Sequence, residues 1–331
     1  MQGHLQEMVS YYFATAFKPN DFYAMSAALE LSSVTMGKNF CTNESNFAGL
    51  NLLRVGFSGC GRSQASHAVE RVTDKMHNPP YQYSGFNSAQ AVVNIAAMHE
   101  SSVCQLFGVK TRTKVNEALI DVYKSQTERF DPYPYTSKLE RFYNPNLTIV
   151  ARMSEQSLRG AIKSSLEFLS TFLVAYAGPV SEVFNRPYLD TPPQKTLIEW
   201  CNWLSIKQQE PMMLNFSDAC YDLLETYNDE INLLRDHYNN NHQALQILDH
   251  VIENTKRIAL IIAVSCESYA INEDHASWAI NYTRAASWQM AAFVNSQKSW
   301  NEVIKQGQLD MQSLALEQKL SPDLLTLVNS G

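Results

Sequence analysis

Hydrophobic positions in the first half of the chain switch repeatedly between helical and strand spacing. Apolar residues at intervals of three and four predict helices over roughly 4–17 and 21–36. Leu52, Leu53 and Val55 then form a short apolar run that reads as a buried strand. Ala65, Ala68, Val69 and Val72 return to helical spacing within 64–76. After a turn at His77-Asn78-Pro79-Pro80, the pattern predicts a helix from Ser88 to about Glu100 and a strand from Ser102 to Phe107. A helix from about Thr113 to Ser125, a strand at Leu147–Arg152, a helix capped by Ser154 and a strand at Thr171–Ala177 follow. From about Thr191 the period is helical nearly throughout, over roughly 193–209, 217–238, 241–269 and 273–304.

Strands alternating with helices argue for an α/β layered domain with a largely parallel sheet. The change of period predicts an all-helical C-terminal domain after it. The division is a helical segment at 1–48 packing on the core, the core at 49–190 and the helical domain at 191–331, with the Pro-rich stretch 179–193 as the hinge. Neither an internal repeat nor a low-complexity tract interrupts this organisation.

Composition narrows the class. The 331 residues are 45% hydrophobic and 18% charged, as in soluble globular proteins, and suffice to bury a large core. The greasiest run, IALIIAV at 258–264, is too short to span a bilayer and predicts a buried helix, so no membrane association is expected. MQGHLQEMVSYYF has neither a basic leader nor a small-residue cleavage site, so the expected compartment is the cytoplasm. Six cysteines lie far apart with no C-x-x-C pair, and the histidines are scattered, His237 and His242 standing five apart; reduced, mostly buried thiols and no structural metal are expected. The net charge of −7 and pI near 5.6 repel a nucleic-acid backbone, so any such contact needs a local basic patch.

The strongest chemical signal is NLLRVGFSGCGRS, residues 51–63. It holds the frame Gly56-x-x-x-x-Gly61-Arg62-Ser63, with Gly59 inside, between a predicted strand and a predicted helix. A P-loop is G-x-x-x-x-G-K-[ST]: glycines let backbone N–H groups wrap the phosphates, Lys reaches the β and γ oxygens, and Ser or Thr holds Mg²⁺. Ser63 keeps the hydroxyl, but Arg62 replaces the lysine with a planar fork, which is not equivalent to a compact ammonium. Two rival motifs fail. A nucleophile elbow needs glycine where Cys60 stands, and a dinucleotide fingerprint from Gly59 needs glycine or alanine where Gln64 stands. A ligand-free Gly-rich turn is the plain alternative.

Several segments together carry a family likeness: FYAMSAALELSSVTMGKNFCT, NLLRVGFSGCGRS, NPNLTIVARMSEQSLRGAI, FLSTFLVAYAG, NFSDACYDLLETYNDEI and RIALIIAVSCESYAINEDHASWAI. Across roughly residues 20–295 the chain resembles the RecA-like P-loop helicase/primase-associated proteins of phages, plasmids and prophages. The resemblance implies a RecA-like core and ATP-driven work on DNA by a ring of subunits. Three positions that carry the family's chemistry are altered. The lysine is Arg62. The Asp-Glu pair for Mg²⁺ and the attacking water falls on Gln105-Leu106, and no Asp or Glu occurs from Ser101 to Asn116. The candidate arginine finger falls on Thr171, and such a finger is worth about 10³–10⁵ in rate.

Jointly these losses point to a non-hydrolysing descendant that acts through a protein partner, as a replication-accessory or host-modulating factor of a mobile genetic element. No cofactor is expected for that role. The alternative is a weakly active ATP-dependent DNA helicase or replication ATPase using ATP and Mg²⁺, with nucleic acid and further copies of the chain as partners. A third class is a DNA-binding module without nucleotide. Lys110, Arg112 and Lys114, just past the Gln105 strand, are the candidate nucleic-acid contacts, a solvated loop being the plainer account. The aromatic cluster at Phe130–Tyr143 suits base stacking, a partner surface or core packing. Trp278, Tyr282, Ala285, Ala286 and Met290 lie at helical spacing and predict core packing.

Overall fold

Asn20 accepts a hydrogen bond from the Tyr23 backbone N–H at 3.1 Å and so starts a helix with no distinct polar face, buried from Ser26 to Met36. This is α2 (Asp21–Met36), preceded by α1 (His4–Thr15). The structure is a computed structural model describing residues 3–98, 102–106, 113–127, 129–177, 191–238, 241–295 and 302. In chain order there follow β1 (Phe40–Thr42), β2 (Asn51–Gly56), α3 (Arg62–Thr73), β3 (Tyr81–Tyr83), α4 (Ala89–Met98), β4 (Ser102–Leu106) and α5 (Thr113–Lys124). A hairpin, β5 (Arg129–Phe130) and β6 (Phe142–Tyr143), leads to β7 (Thr148–Met153), α6 (Glu155–Ser170) and β8 (Phe172–Ala177). The remainder is α7 (Lys195–Leu204), β9 (Met212–Phe216), α8 (Asp218–His237), α9 (His242–Leu248), α10 (Val251–Ser265), β10 (Ala270–Ile271) and α11 (Glu273–Asn295).

Five strands form one parallel sheet in the order β3-β4-β7-β2-β8. β2 is therefore central, and every one of its residues is buried. Its alternate positions face opposite layers. Leu52 joins an apolar cluster with α1, α2, α3, α7 and α10, whereas Leu53 and Val55 join one with α4, α5, α6, α8, α9 and α11. Tyr227 and Ile231 of α8 and Ile280 and Met290 of α11 share that second cluster with Ile149 of β7, so helices past residue 191 cover one face of the sheet.

The α/β alternation and the helical C-terminal region agree with the sequence pattern, and IALIIAV is buried throughout in α10. Ser154 caps α6 by accepting from the Ser157 N–H. Two expectations are corrected. The C-terminal region also carries strands: β9 pairs in parallel with β1 and β10, joining segments far apart in sequence. The single helix over 241–269 is instead α9 and α10, broken at His250, which has non-helical dihedrals, while neighbouring Asp249 pairs with Arg235 at 3.2 Å. No Gly or Pro marks this break. The expected hinge falls largely on 178–190, outside the described residues. Among the described residues no helix is long and apolar enough to cross a membrane.

Candidate functional site

The loop between β2 and α3 stands at the carboxyl end of the central strand, the edge where open α/β sheets bind ligands. Gly59 and Gly61 have φ of +76° and +91°, the left-handed region that glycine enters without steric cost. Phe57, Ser58 and Gly59 form an exposed crest, whereas Cys60 turns inward. Gly61 gives α3 no side-chain cap, and in the first turn of that helix the Gln64 N–H donates to the Gly61 carbonyl at 2.9 Å. Ser63 is exposed on that first turn and Arg62 is half-buried beside it.

The loop is pinned from α2. Tyr23 donates its hydroxyl to the Val55 carbonyl at 2.8 Å, and the same oxygen lies 3.2 Å from Cys60 Sγ. Burial pushes the Tyr23 phenol well above its ordinary range, so it remains a neutral donor. Gly56 is needed for space, since a β-carbon there would stand 2.6 Å from both Cys60 Sγ and Tyr23 Oη and 2.9 Å from the Ala177 carbonyl.

Below the loop lies a buried charged layer. Arg54 of β2 is completely enclosed and donates to Ser26 (3.1 Å), Ser66 (2.7 Å) and Glu30 (2.5 Å). Arg152, level with Arg54 on β7, donates to Gln105 Oε1 at 3.0 Å, and Gln105 Nε2 donates to Glu70 Oε1 at 2.9 Å. Burial raises the Glu30 carboxyl while the Arg54 guanidinium pulls it down; burial also lowers Arg152, with Arg54 adding to the effect. The layer ties α2, β2, β7, β4 and α3 together. Its signal was present in the sequence as an arginine inside an apolar strand and a glutamate inside an apolar helix, each of which demands a buried partner.

The strand register fixes the height of the other candidates. Gln105 pairs with Val150 and Leu106 with Ala151, and these pair with Leu52 and Leu53, whereas the loop begins at Gly56. Gln105 and Leu106 are thus level with the middle of β2. Residues 107–112, Lys110 and Arg112 among them, lie outside the described residues. Thr171 is fully buried at the opposite, amino end of the sheet, where Phe172 pairs with Asn51. Its hydroxyl donates to the Phe168 carbonyl and accepts from Asn51 Nδ2, both at 2.8 Å.

Lys114 is exposed on the first turn of α5 and lines an open groove of ≈ 560 Å³ with Gln90 and Tyr135. The aromatic cluster divides. Phe130 is buried, while Tyr133 and Tyr143 are 79% and 64% exposed, with the Arg129 guanidinium 5.6 Å from the Tyr143 ring centre. Tyr282, Ala286 and Met290 pack in the interior, with Trp278 stacked on Tyr282. All six cysteines are free and four are buried.

No family model matches the chain, and no curated protein matches it. Among solved structures it is similar to the crystal structure of a full-length MCM homolog from Methanopyrus kandleri, with a TM-score of 0.51 and 14% identity. The match covers 86% of this chain and 61% of that one, so this chain spans less than two thirds of the neighbour's length. At that identity the likeness is one of fold: a parallel α/β core with a helical region.

Proposed function

We propose that this chain is a P-loop protein of the ATPase fold that has lost hydrolysis and acts through protein contact. The observation carrying the proposal is the absence of any carboxylate from Ser101 to Asn116, the whole stretch around the strand that supplies the family's Asp-Glu pair. Without a carboxylate, a bound metal lacks its hard anionic support and the attacking water lacks a base. Glu70, the carboxylate bonded to Gln105, does not replace it. It lies seven residues beyond Ser63 on α3, about 10 Å along the axis, too far for one bridging water.

On this reading phosphate held at the loop is a ligand and not a substrate, and the output is a protein interaction. The family resemblance suggests the setting, a replication-accessory or host-modulating role in a mobile genetic element. Exposed apolar side chains near the small sheet, Trp203, Ile206, Met212 and Met213, offer contact area for such a partner. The expected division of the chain at about residue 191 belongs to the same proposal.

Purified protein is expected to show no Mg²⁺-dependent ATP hydrolysis above a protein-free control, since loss of the general base alone costs about 10²–10⁴-fold. Gln105→Glu should remain at background as well, because that position is level with Leu52 and not with the loop. Turnover that disappears in Ser63→Ala would overturn the proposal and restore the weak-ATPase alternative.

A further inference from the structure

The segment joining α1 to α2 crosses the phosphate loop, and it brings a lysine with it. A β-carbon placed on Gly59, at the crest of the loop, would stand 3.9 Å from Lys18 Nζ. The Lys18 main chain is held against the loop at two points. Its N–H donates to Gln64 Oε1 in the first turn of α3 at 3.2 Å, and its carbonyl lies 2.9 Å from where a β-carbon on Gly61 would be. Pro19 and the Asn20 cap then turn the chain directly into α2, whose Tyr23 reaches back to the carbonyl end of β2. Among the described residues no carboxylate pairs with the Lys18 ammonium.

Arg62 is placed differently. It is half-buried on the first turn of α3 beside Ser63, whereas Lys18 reaches the loop from outside that helix. A compact ammonium on a flexible stem suits the outer oxygens of a phosphate chain better than a planar fork does. We propose that Lys18 supplies, from the α1–α2 connection, the ammonium that the phosphate loop lacks at position 62, so that the loop binds the phosphate chain of a nucleoside triphosphate. The proposal rests on Gly56–Ser63 being a phosphate-binding loop and adds to it a specific residue from outside the motif.

The test is MgATP binding to the full chain by titration calorimetry, with ADP, adenosine and tripolyphosphate as comparison ligands. Wild type is expected to bind MgATP and tripolyphosphate. Lys18→Ala should weaken both by about tenfold or more, the range for losing a hydrogen bond to a charged group. The loss should shrink from ATP to ADP and vanish for adenosine, a gradient that a merely structural role would not produce. Lys18→Arg should recover part of the affinity, and the thermal transition of each ligand-free variant should match wild type.

If wild type binds and Ser63→Ala weakens binding while Lys18→Ala stays within about twofold of wild type, the lysine assignment fails and the loop survives. If wild type does not bind MgATP, or binds it with an affinity that neither substitution changes, the loop assignment fails and the lysine assignment with it.

Discussion

Arg54→Ala is expected to remove about 3–5 kcal/mol of folding stability, the cost of breaking a buried ion pair from one side. The guanidinium is fully enclosed, and its hydrogen bonds reach Ser26 and Glu30 on α2 and Ser66 on α3. Removing it leaves the Glu30 carboxyl in an interior that already disfavours its charge, with Glu70 adding repulsion. It also unties two helices from the strand that carries the glycine loop. Replacing both partners, Arg54→Met with Glu30→Leu, should cost less than Arg54→Ala alone, because no uncompensated charge remains. Chemical denaturation of the three variants measures this directly. A loss below about 1 kcal/mol in Arg54→Ala would show that the layer is solvated and not the enclosed network described above.

Gly56→Ala is expected to cost about 1–3 kcal/mol from overpacking alone, although the first glycine of such a loop is usually explained by phosphate approach. Its dihedral angles are not left-handed; the constraint is the space already taken by Cys60, Tyr23 and Ala177. A methyl group there must displace the Tyr23 hydroxyl and with it the hydrogen bond that holds the Val55 carbonyl at the base of the loop. Tyr23→Phe removes one of the three obstructing atoms. The double variant Gly56→Ala with Tyr23→Phe should therefore be more stable than the sum of the single losses predicts, a coupling expected of residues in contact. Strict additivity in thermal or denaturant unfolding would refute the steric account.

Local features of this chain were legible because their physics is local. The strand, glycine loop and helix around Gly56–Ser63 depend on a dozen adjacent residues, and the structure has them in that order on the central strand. Ser154 caps the helix that begins beside it, because a cap needs only the N–H groups two or three residues on. The absence of a carboxylate between Ser101 and Asn116 is likewise a property of the sequence alone and holds in any register.

What depends on pairing across the chain was decided only by the tertiary structure. β9 is a five-residue segment whose backbone finds its partner in Phe40–Thr42, far back in sequence, and no periodicity in so short a run could specify that. The height of Gln105, below the loop, and of Thr171, at the opposite end of the sheet, follows from strand register, which a residue cannot encode by its type. Arg54 and Glu30 are charges in apolar stretches of sequence, yet only packing shows that each is the other's partner. Lys18 carried no signal at all: an ordinary lysine before a proline, it gains its place beside Gly59 because α1 and α2 pack against the sheet and draw their connection across the loop.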